Sequence, residues 1–376
     1  MKKLLKKDST QSLIASLLCI LMGVFLGYLV LLCINSKGAW DAIVAVLKNF
    51  MTYSKAKLRM KNFGGTLVKT APLLMCALSV LFAYKAGLFN IGAAGQYCIG
   101  ICACLYAALA WGWGWLPCTL FAMVCAALWG SLPGVLMAYC NVNVVISGIM
   151  LNWIGLYLTN VILTGVKETT SPYTYHLADK APQAILPTLG LDKLFAGNTK
   201  VTIAIPLAIL MAVLVKVILD KTRFGYELKA TGSNKNAAKY CGMAEKRNTI
   251  LTLCIAGALA GMGAAMLYLT DFEQWQCTAS SVPGMGFSGI AATFLGGLSP
   301  IGSIFSSYFI QHITSGGAYV DKTMYCSQIS DLISSLIIYL CGFVLFIKTA
   351  INKGIERSEE KEKKKLAETR KGGAEQ

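Results

Sequence analysis

Long apolar stretches recur along this chain and constrain its fold more than any other feature. Ten are visible, at residues 13–34, 66–84, 88–110, 116–138, 144–164, 201–219, 248–269, 283–298, 302–319 and 328–347. A run of about 18 or more mostly apolar residues is long enough to cross the hydrocarbon core of a bilayer as a helix. The fold expected is therefore all-α, a polytopic transmembrane helical bundle of about ten membrane segments. The eighth, 283–298, is short and Gly-rich. It reads as a broken or re-entrant helix, which a bilayer tolerates only where protein or a cavity surrounds it.

Composition agrees. Of 376 residues, 56% are hydrophobic and 14% charged, with a mean hydropathy of +0.59, where soluble domains carry roughly 45–50% apolar and about 25% charged residues. Lys2, Lys3, Lys6 and Lys7 precede the first apolar run as they would in a signal peptide, but no small-residue cleavage site follows, so the run is expected to stay as a helix. The "LVLLC" ending at Cys33 is a poor lipoprotein signal because leucine precedes the cysteine.

Lys and Arg in the loops set orientation. With both termini in the cytoplasm, the inside segments hold 21 of them and the outside segments 11. The expected localisation is the cell inner (plasma) membrane, multi-pass, with both ends inside. One segment, "KNFMTYSKAKLRMKNFGG" from Lys48, is basic yet falls outside; an interfacial helix with Phe50, Met51, Leu58, Met60 and Phe63 toward lipid accommodates it. The same inside bias explains the net charge of +16 without nucleic acid, since the basic residues are spread over separate loops.

The chain divides into a cytoplasmic N-terminus (1–12), a membrane domain (13–347) and a charged cytoplasmic tail (348–376) with 9 basic and 6 acidic residues. Two hydrophilic insertions interrupt the membrane domain. Residues 165–200 form a long external loop rich in Pro, Thr and Gly. Residues 220–247 read as a cytoplasmic hairpin: a short helix ending near Ala230, a Gly232-Ser233-Asn234 turn in which Ser or Asn caps, and a second helix from Lys235 to Met243.

Several residues invite chemistry. Fourteen cysteines include no C-x-x-C pair; Cys98 and Cys102 share a helix face, yet no histidine or acid accompanies them, so buried thiols and no metal are expected. His312 and Asp331 are ionisable groups within apolar segments, a pair that a proton-coupled secondary transporter could use; the alternative reading is that Asp331, a few residues into its helix, snorkels to the interface and His312 is a hydrogen-bonded structural residue. The second histidine, His176, lies in the external loop. Neither a clustered nucleophile and base nor a G-x-x-x-x-G-K-[ST] phosphate loop occurs, so the chain is not expected to be an enzyme or to hydrolyse ATP itself. Gly257 and Gly261 in "AGALAGMGAA" are spaced for close helix packing. "WGWGWLP" at 111–117 reads as an interfacial aromatic anchor.

Amides in apolar surroundings are the sharper signal. An unpaired amide in lipid costs several kcal/mol, so Asn90, Gln96 and Asn152 must face protein or a water-filled path. One reading is interhelical hydrogen bonding, worth about 0.6–2 kcal/mol. The other is a substrate path in which these amides bond a hydroxylated or nucleobase solute, with Trp153 offering a face for stacking.

"AGLFNIGAAGQ" resembles the "GLFNIGAEGQ" motif of ABC importer permeases of the branched-chain amino acid and simple sugar superfamily, in the nucleoside subgroup that works with basic-membrane-protein-type lipoproteins. Three further stretches agree in order: "VISGIMLNWIG", "TRFGYELKATGSNKNAAKYCGM" and "GFSGIAATFLGGLSPIGSI". The resemblance covers most of residues 66–305. Ala94 departs from the subgroup's usual Glu, Ser288 from Asp and Lys235 from Pro. The resemblance implies a permease subunit of an ATP-driven importer for nucleosides, with simple sugars the alternative cargo. It implies a separate ABC ATPase that binds ATP and Mg, no cofactor on this chain, a second homologous permease subunit and an extracytoplasmic substrate-binding lipoprotein. The hairpin would dock on the ATPase through Arg223, Phe224, Gly232, Asn234, Ala237, Ala238 and Tyr240.

Overall fold

Small residues let helix backbones approach one another where lipid supplies no hydrophobic drive between them, and that rule orders this bundle. The computed structural model describes residues 8–353 apart from 327 and 345. Its main helices are α1 (Asp8–Ile34), α2 (Ala39–Lys48), α3 (Ala56–Lys85), α4 (Ala93–Leu109), α5 (Trp115–Cys140), α6 (Val144–Leu163) and α7 (Ala204–Lys221). Then follow α8 (Arg223–Ser233), α9 (Lys235–Tyr240), α10 (Glu245–Tyr268), α11 (Gly284–Leu295), α12 (Pro300–Gly316) and α13 (Ile329–Cys341). The basic residues 1–7 and the charged tail from 354 lie outside the described residues.

Two helices form the centre. The apolar window of α3 is 89% buried and that of α10 is 72% buried, whereas those of α1, α5 and α6 are 22%, 28% and 33% buried. The outer helices turn Leu21 and Phe25 (α1), Leu120 and Leu128 (α5), and Ile154 and Val161 (α6) outward, the distribution expected of lipid-facing surfaces. At the α5–α10 crossing, a Cβ on Gly257 would lie 2.2 Å from the Ala126 carbonyl oxygen, and one on Gly261 would lie 2.5 Å from that of Ala122. Any larger residue would push these helices apart.

Each of the ten apolar segments contains a helix. Five, α1, α3, α5, α6 and α10, are long and apolar enough to cross a bilayer by length and composition; α4 and α11 are apolar but shorter. The structure supports the all-helical membrane bundle, and the count of ten crossings is finer than helix length alone carries. Segment 283–298 becomes the 12-residue α11, about 18 Å long at 1.5 Å per residue, well short of the ~30 Å hydrocarbon core. It is enclosed by protein: Gly289 packs on Cys76 and Ala77, Gly286 on Ala94, and Thr293 Oγ1 donates to the Ala77 carbonyl at 2.8 Å.

The stretch from Lys48 is not one interfacial helix. Lys48 ends α2, Asn49–Thr52 form a 3₁₀ turn, and residues from Ala56 are the first turns of α3. Asn49 breaks the helix with φ 46°, and its Nδ2 donates to the His312 carbonyl at 2.7 Å. Phe50 and Phe63 pack on each other at 5.0 Å between ring centres, so the two rings are drawn to α12 rather than to lipid.

Contacts sort the connections to two ends. Ser16 Oγ bonds the Leu295 carbonyl, Ala15 and Cys19 cluster with Val344, and α8 meets the turn after α3, all at the end carrying α8 and α9. At the opposite end Tyr325 reaches Asn35 (2.6 Å), Asn198 reaches Lys61 (2.9 Å), and residues 165–200 pair with 269–279. That long loop is folded down onto the bundle: Thr174 N bonds Trp275 O, Cys277 N bonds Pro172 O and Leu186 N bonds Leu269 O.

Candidate functional site: an amide knot above a helical hairpin

Between α3 and α4 the chain turns back into the bundle instead of running along its surface. Gly87 adopts φ +73° to make that turn, and residues 88–92 climb past Ser79 to reach the start of α4. Asn90 lies in this re-entrant stretch. Its Nδ2 donates to Gln96 Oε1 at 3.0 Å and to Ser79 Oγ at 3.3 Å, while Gln96 Nε2 donates back to Asn90 Oδ1 at 3.2 Å. Both amides are 1% exposed. A reciprocal pair of this kind leaves neither amide to meet an apolar wall unbonded.

Asn152, in the middle of α6, works at the same level. Its Oδ1 accepts from Gly95 N at 2.7 Å and its Nδ2 donates to the Ile91 carbonyl at 3.1 Å. The first N–H groups of a helix have no partner within it, and α4 has no side-chain cap at Gly92. Asn152 therefore caps α4 from another helix. Trp153 points the other way: it is 43% exposed on the outer face of α6 and stacks on Tyr157 at 6.3 Å. The structure thus brings Asn90, Gln96 and Asn152 together and leaves Trp153 outside.

The hairpin lies directly below. Thr222 caps α8 by accepting from Gly225 N (3.1 Å), and Asn234 caps α9 by accepting from Ala237 N (3.0 Å). Gly232 is not part of a turn but an α8 residue pressed on the re-entrant turn, where a Cβ would fall 2.5 Å from the Ala86 carbonyl carbon. The first helix therefore runs on to Ser233, because the chain needs only Asn234 to redirect it, and the second ends at Tyr240. Leu228 and Ala238 are buried, Phe224 is half-buried, and Asn248 Nδ2 donates to Thr231 Oγ1 at 3.3 Å, which fixes α8 to the foot of α10. Glu227 is held by Arg223 at 2.9 Å, with Arg247 at 3.9 Å. Outward stand Arg223, Tyr226, Ala237 and Tyr240, the last 93% exposed. This end presents a firm plate with a polar and aromatic face, one buried contact away from the knot.

The positions that depart from the resembled pattern are placed differently from one another. Ala94 is fully buried, and Gly286 of α11 packs on its backbone, so a glutamate there would have to displace α11. Ser288 is half-buried on α11, and Lys235 opens α9. His312 is engaged with the α2–α3 connection, Nε2 lying 2.9 Å from the Leu47 carbonyl, while Asp331 is exposed near the start of α13. Cys98 and Cys102 are buried in the apolar core around α4.

At the opposite end lies an ion-pair centre that no linear pattern announces. Asp271, at φ 54° just past α10, receives Lys200 Nζ at 3.0 Å, Leu177 N at 3.0 Å and approaches His176 Nδ1 at 3.1 Å. Burial alone would raise its carboxyl pKa, but the hydrogen bonds from Lys200, His176 and the Leu177 N–H outweigh it and hold the pKa below the usual value. Nearby, Lys69 of α3 bonds Glu273 at 2.8 Å and lies over the Phe272 ring. Sequence reading also missed Ser79, Glu227 and the receiving turn at Gly87. Only Gly87 carried a linear signal, as a glycine just past a helix end.

A central buried pair of helices, a polar knot at a re-entrant turn and an exposed hairpin fastened beneath it make a polytopic helical membrane protein. The chain belongs to the family described as branched-chain amino acid transport system / permease component, whose model matches residues 62–342. It is 29% identical over 373 residues to the nucleoside ABC transporter permease protein NupB of Lactococcus lactis subsp. cremoris, covering 95% of this chain and 98% of the relative. It is 30% identical over 295 residues to the guanosine ABC transporter permease protein NupP of Bacillus subtilis, covering 77% and 83%. The glucose ABC transporter permease protein TsgB13 of Haloferax volcanii is 29% identical over 275 residues, covering 69% and 70%. A second nucleoside permease from the Lactococcus strain and a second guanosine permease from Bacillus match as well. No solved structure matches the chain.

Proposed function

We propose that this chain is a membrane subunit of an ATP-driven importer whose cargo is nucleosides. The relatives named for nucleosides and guanosine support the cargo, and the Lactococcus match runs nearly end to end. The observation that carries the mechanism is the backbone contact of Gly232 with the Ala86–Gly87 turn, because that turn leads within three residues to Asn90. In this scheme α8 and α9 face the cytoplasm and dock on a separate ATPase that holds ATP and Mg. Its closure moves the hairpin, the hairpin moves the re-entrant turn, and the knot of Asn90, Gln96 and Asn152 exchanges its internal bonds for bonds to solute. In this scheme about ten membrane segments, with 283–298 broken or re-entrant, run between two cytoplasmic termini.

Paired permeases in two of the matched organisms favour a heterodimer with a second, related permease. Trp153, on the outer face of α6, would meet solute only across such a subunit interface. The opposite end, with residues 165–200 tied to Asp271 and Trp275, is the face for a substrate-delivering lipoprotein. The test is uptake of labelled guanosine and ribose by the complex reconstituted in vesicles, with and without ATP. Nucleoside uptake that needs ATP, and a complex lost on deleting residues 222–243, are the expected results. Uptake driven by an ion gradient without ATP would refute the scheme, and preference for free sugars would redirect it to the cargo of the Haloferax relative.

A further inference from the structure

Beside the hairpin, between α1, the end of α3, the end of α7 and the α11–α12 turn, lies a cleft of about 760 Å³ that nothing above uses. Its size falls in the ~300–1,000 Å³ range of sites that enclose small molecules. The walls are chiefly apolar, with Leu17, Ile20, Leu219, Ile301, Phe305 and Phe309, and at the hairpin end the lining includes Lys85 and Lys216. Among the described residues Asp220 is its one acidic lining residue; Lys229 bonds that carboxylate at 2.8 Å, and Lys216 and Lys85 also act on it as nearby positive charges, so the three lysines outweigh the one acid. The first turn of α12 opens on the same space, and its N-cap Ser299 makes no side-chain bond to that turn; the helix end adds partial positive charge. Leu17 and Phe305 are 50% and 72% exposed, so the cleft opens sideways onto the outer face where α1 also shows Leu18 and Leu21.

We propose that this cleft binds one anionic phospholipid, its acyl chains along α1 and α12 and its phosphate between Lys85 and Lys216. Basic pockets between membrane helices recognise anionic headgroups in this way. A neutral hydrophilic solute gains little from the apolar walls. The chain's own N-terminal segment, with Lys2, Lys3, Lys6 and Lys7, carries the wrong sign to replace the headgroup. The lipid would brace α7, whose end leads directly into α8, so occupancy favours one position of the hairpin. The binding itself requires only that the bundle lie in a bilayer, independently of the cargo.

The full chain in nanodiscs, exchanged against vesicles of phosphatidylglycerol or phosphatidylcholine and read by native mass spectrometry, tests this. One phosphatidylglycerol retained in preference to phosphatidylcholine is expected. The Lys85→Gln/Lys216→Gln pair should lose that preference by roughly five-fold per lysine, Lys216→Arg should keep it, and Lys239→Gln on the exposed hairpin should not change it. Because the double variant can fail to fold, a photoactivatable phosphatidylglycerol is also applied to the unaltered chain, where labelled peptides should come from residues 16–20, 216–220 or 295–309. Labels confined elsewhere, equal retention of both lipids, or equal loss in Lys239→Gln would overturn the proposal. So would displacement by millimolar inorganic phosphate, which would mark a free-anion site.

Discussion

Replacing Gly232 by alanine tests whether the hairpin is fastened to the knot through backbone contact. The new Cβ would lie 2.5 Å from the Ala86 carbonyl carbon and 2.6 Å from Gly87 N, neither of which is the end of a flexible side chain. Ordinary carbon contacts sit at about 3.5–4 Å, so the two backbones must part by about 1 Å. Overpacking of this kind costs about 1–3 kcal/mol. Separation also stretches the 3.3 Å bond from Asn248 to Thr231, a bond worth about 0.5–1.5 kcal/mol. Against this, alanine gains about 0.5–1 kcal/mol over glycine within a helix. At the middle of these ranges the balance disfavours docking by about 2 kcal/mol, roughly thirty-fold in the docked population. Hydrogen exchange across residues 223–240 should accelerate by that factor while α5 and α10 are unaffected. In the reconstituted complex uptake should fall more than ATP hydrolysis. Gly65→Ala, whose Cβ meets nothing within 4 Å, serves as the control and should change neither. Unchanged or slower exchange in Gly232→Ala would show that helix propensity outweighs the contact, and the coupling route drawn through Gly87 would be wrong.

Asn152→Leu strands Gly95 N–H and the Ile91 carbonyl, and Asn90→Leu strands Gln96, so each should destabilise the chain by about 1–3 kcal/mol in thermal unfolding, while the outward Trp153→Leu should not. If the amides also meet solute, uptake per assembled complex falls and the preference for guanosine over ribose shifts; uptake that merely tracks the amount of assembled complex would confine them to packing. The depressed carboxyl of Asp271 contributes stability that is complete above the unfolded pKa of about 3.9 and is lost as pH falls through its lower folded value. Protection of residues 172–186, taken relative to the intrinsic exchange rate at each pH, should therefore be level from pH 8 to 5 and fall only below about pH 4, and Asp271→Asn should loosen that region already at neutral pH; loosening of the unaltered chain between pH 8 and 5 would contradict the assignment. An impermeant maleimide should label the exposed Cys326 in intact cells and the exposed Cys241 only after permeabilisation, and the reverse order would invert the proposed orientation.

Hydropathy and short-range pattern are local properties, so the sequence alone determined what depends on them. The apolar segments, the interruption at 220–247 and the shortness of 283–298 were all legible, because a helix in lipid must satisfy its own backbone within one continuous stretch. The motifs around Asn90, Asn152, Gly232 and Ser288 were enough for the resemblance to the permease family. The partners of those residues were not legible. Asn152 meets Gly95 across 57 positions and His312 meets Leu47 across 265, and no periodicity encodes which of several helices will lie alongside. Gly232 looked like a turn residue because glycine serves both turns and close contacts, and only the position of Ala86 tells the two apart. The basic stretch from Lys48 was similarly ambiguous until Asn49 and Phe50 were seen against α12. Composition decided that this chain enters a membrane; packing decided which amides close on one another, where the hairpin is fastened, and which faces remain for lipid and for partners.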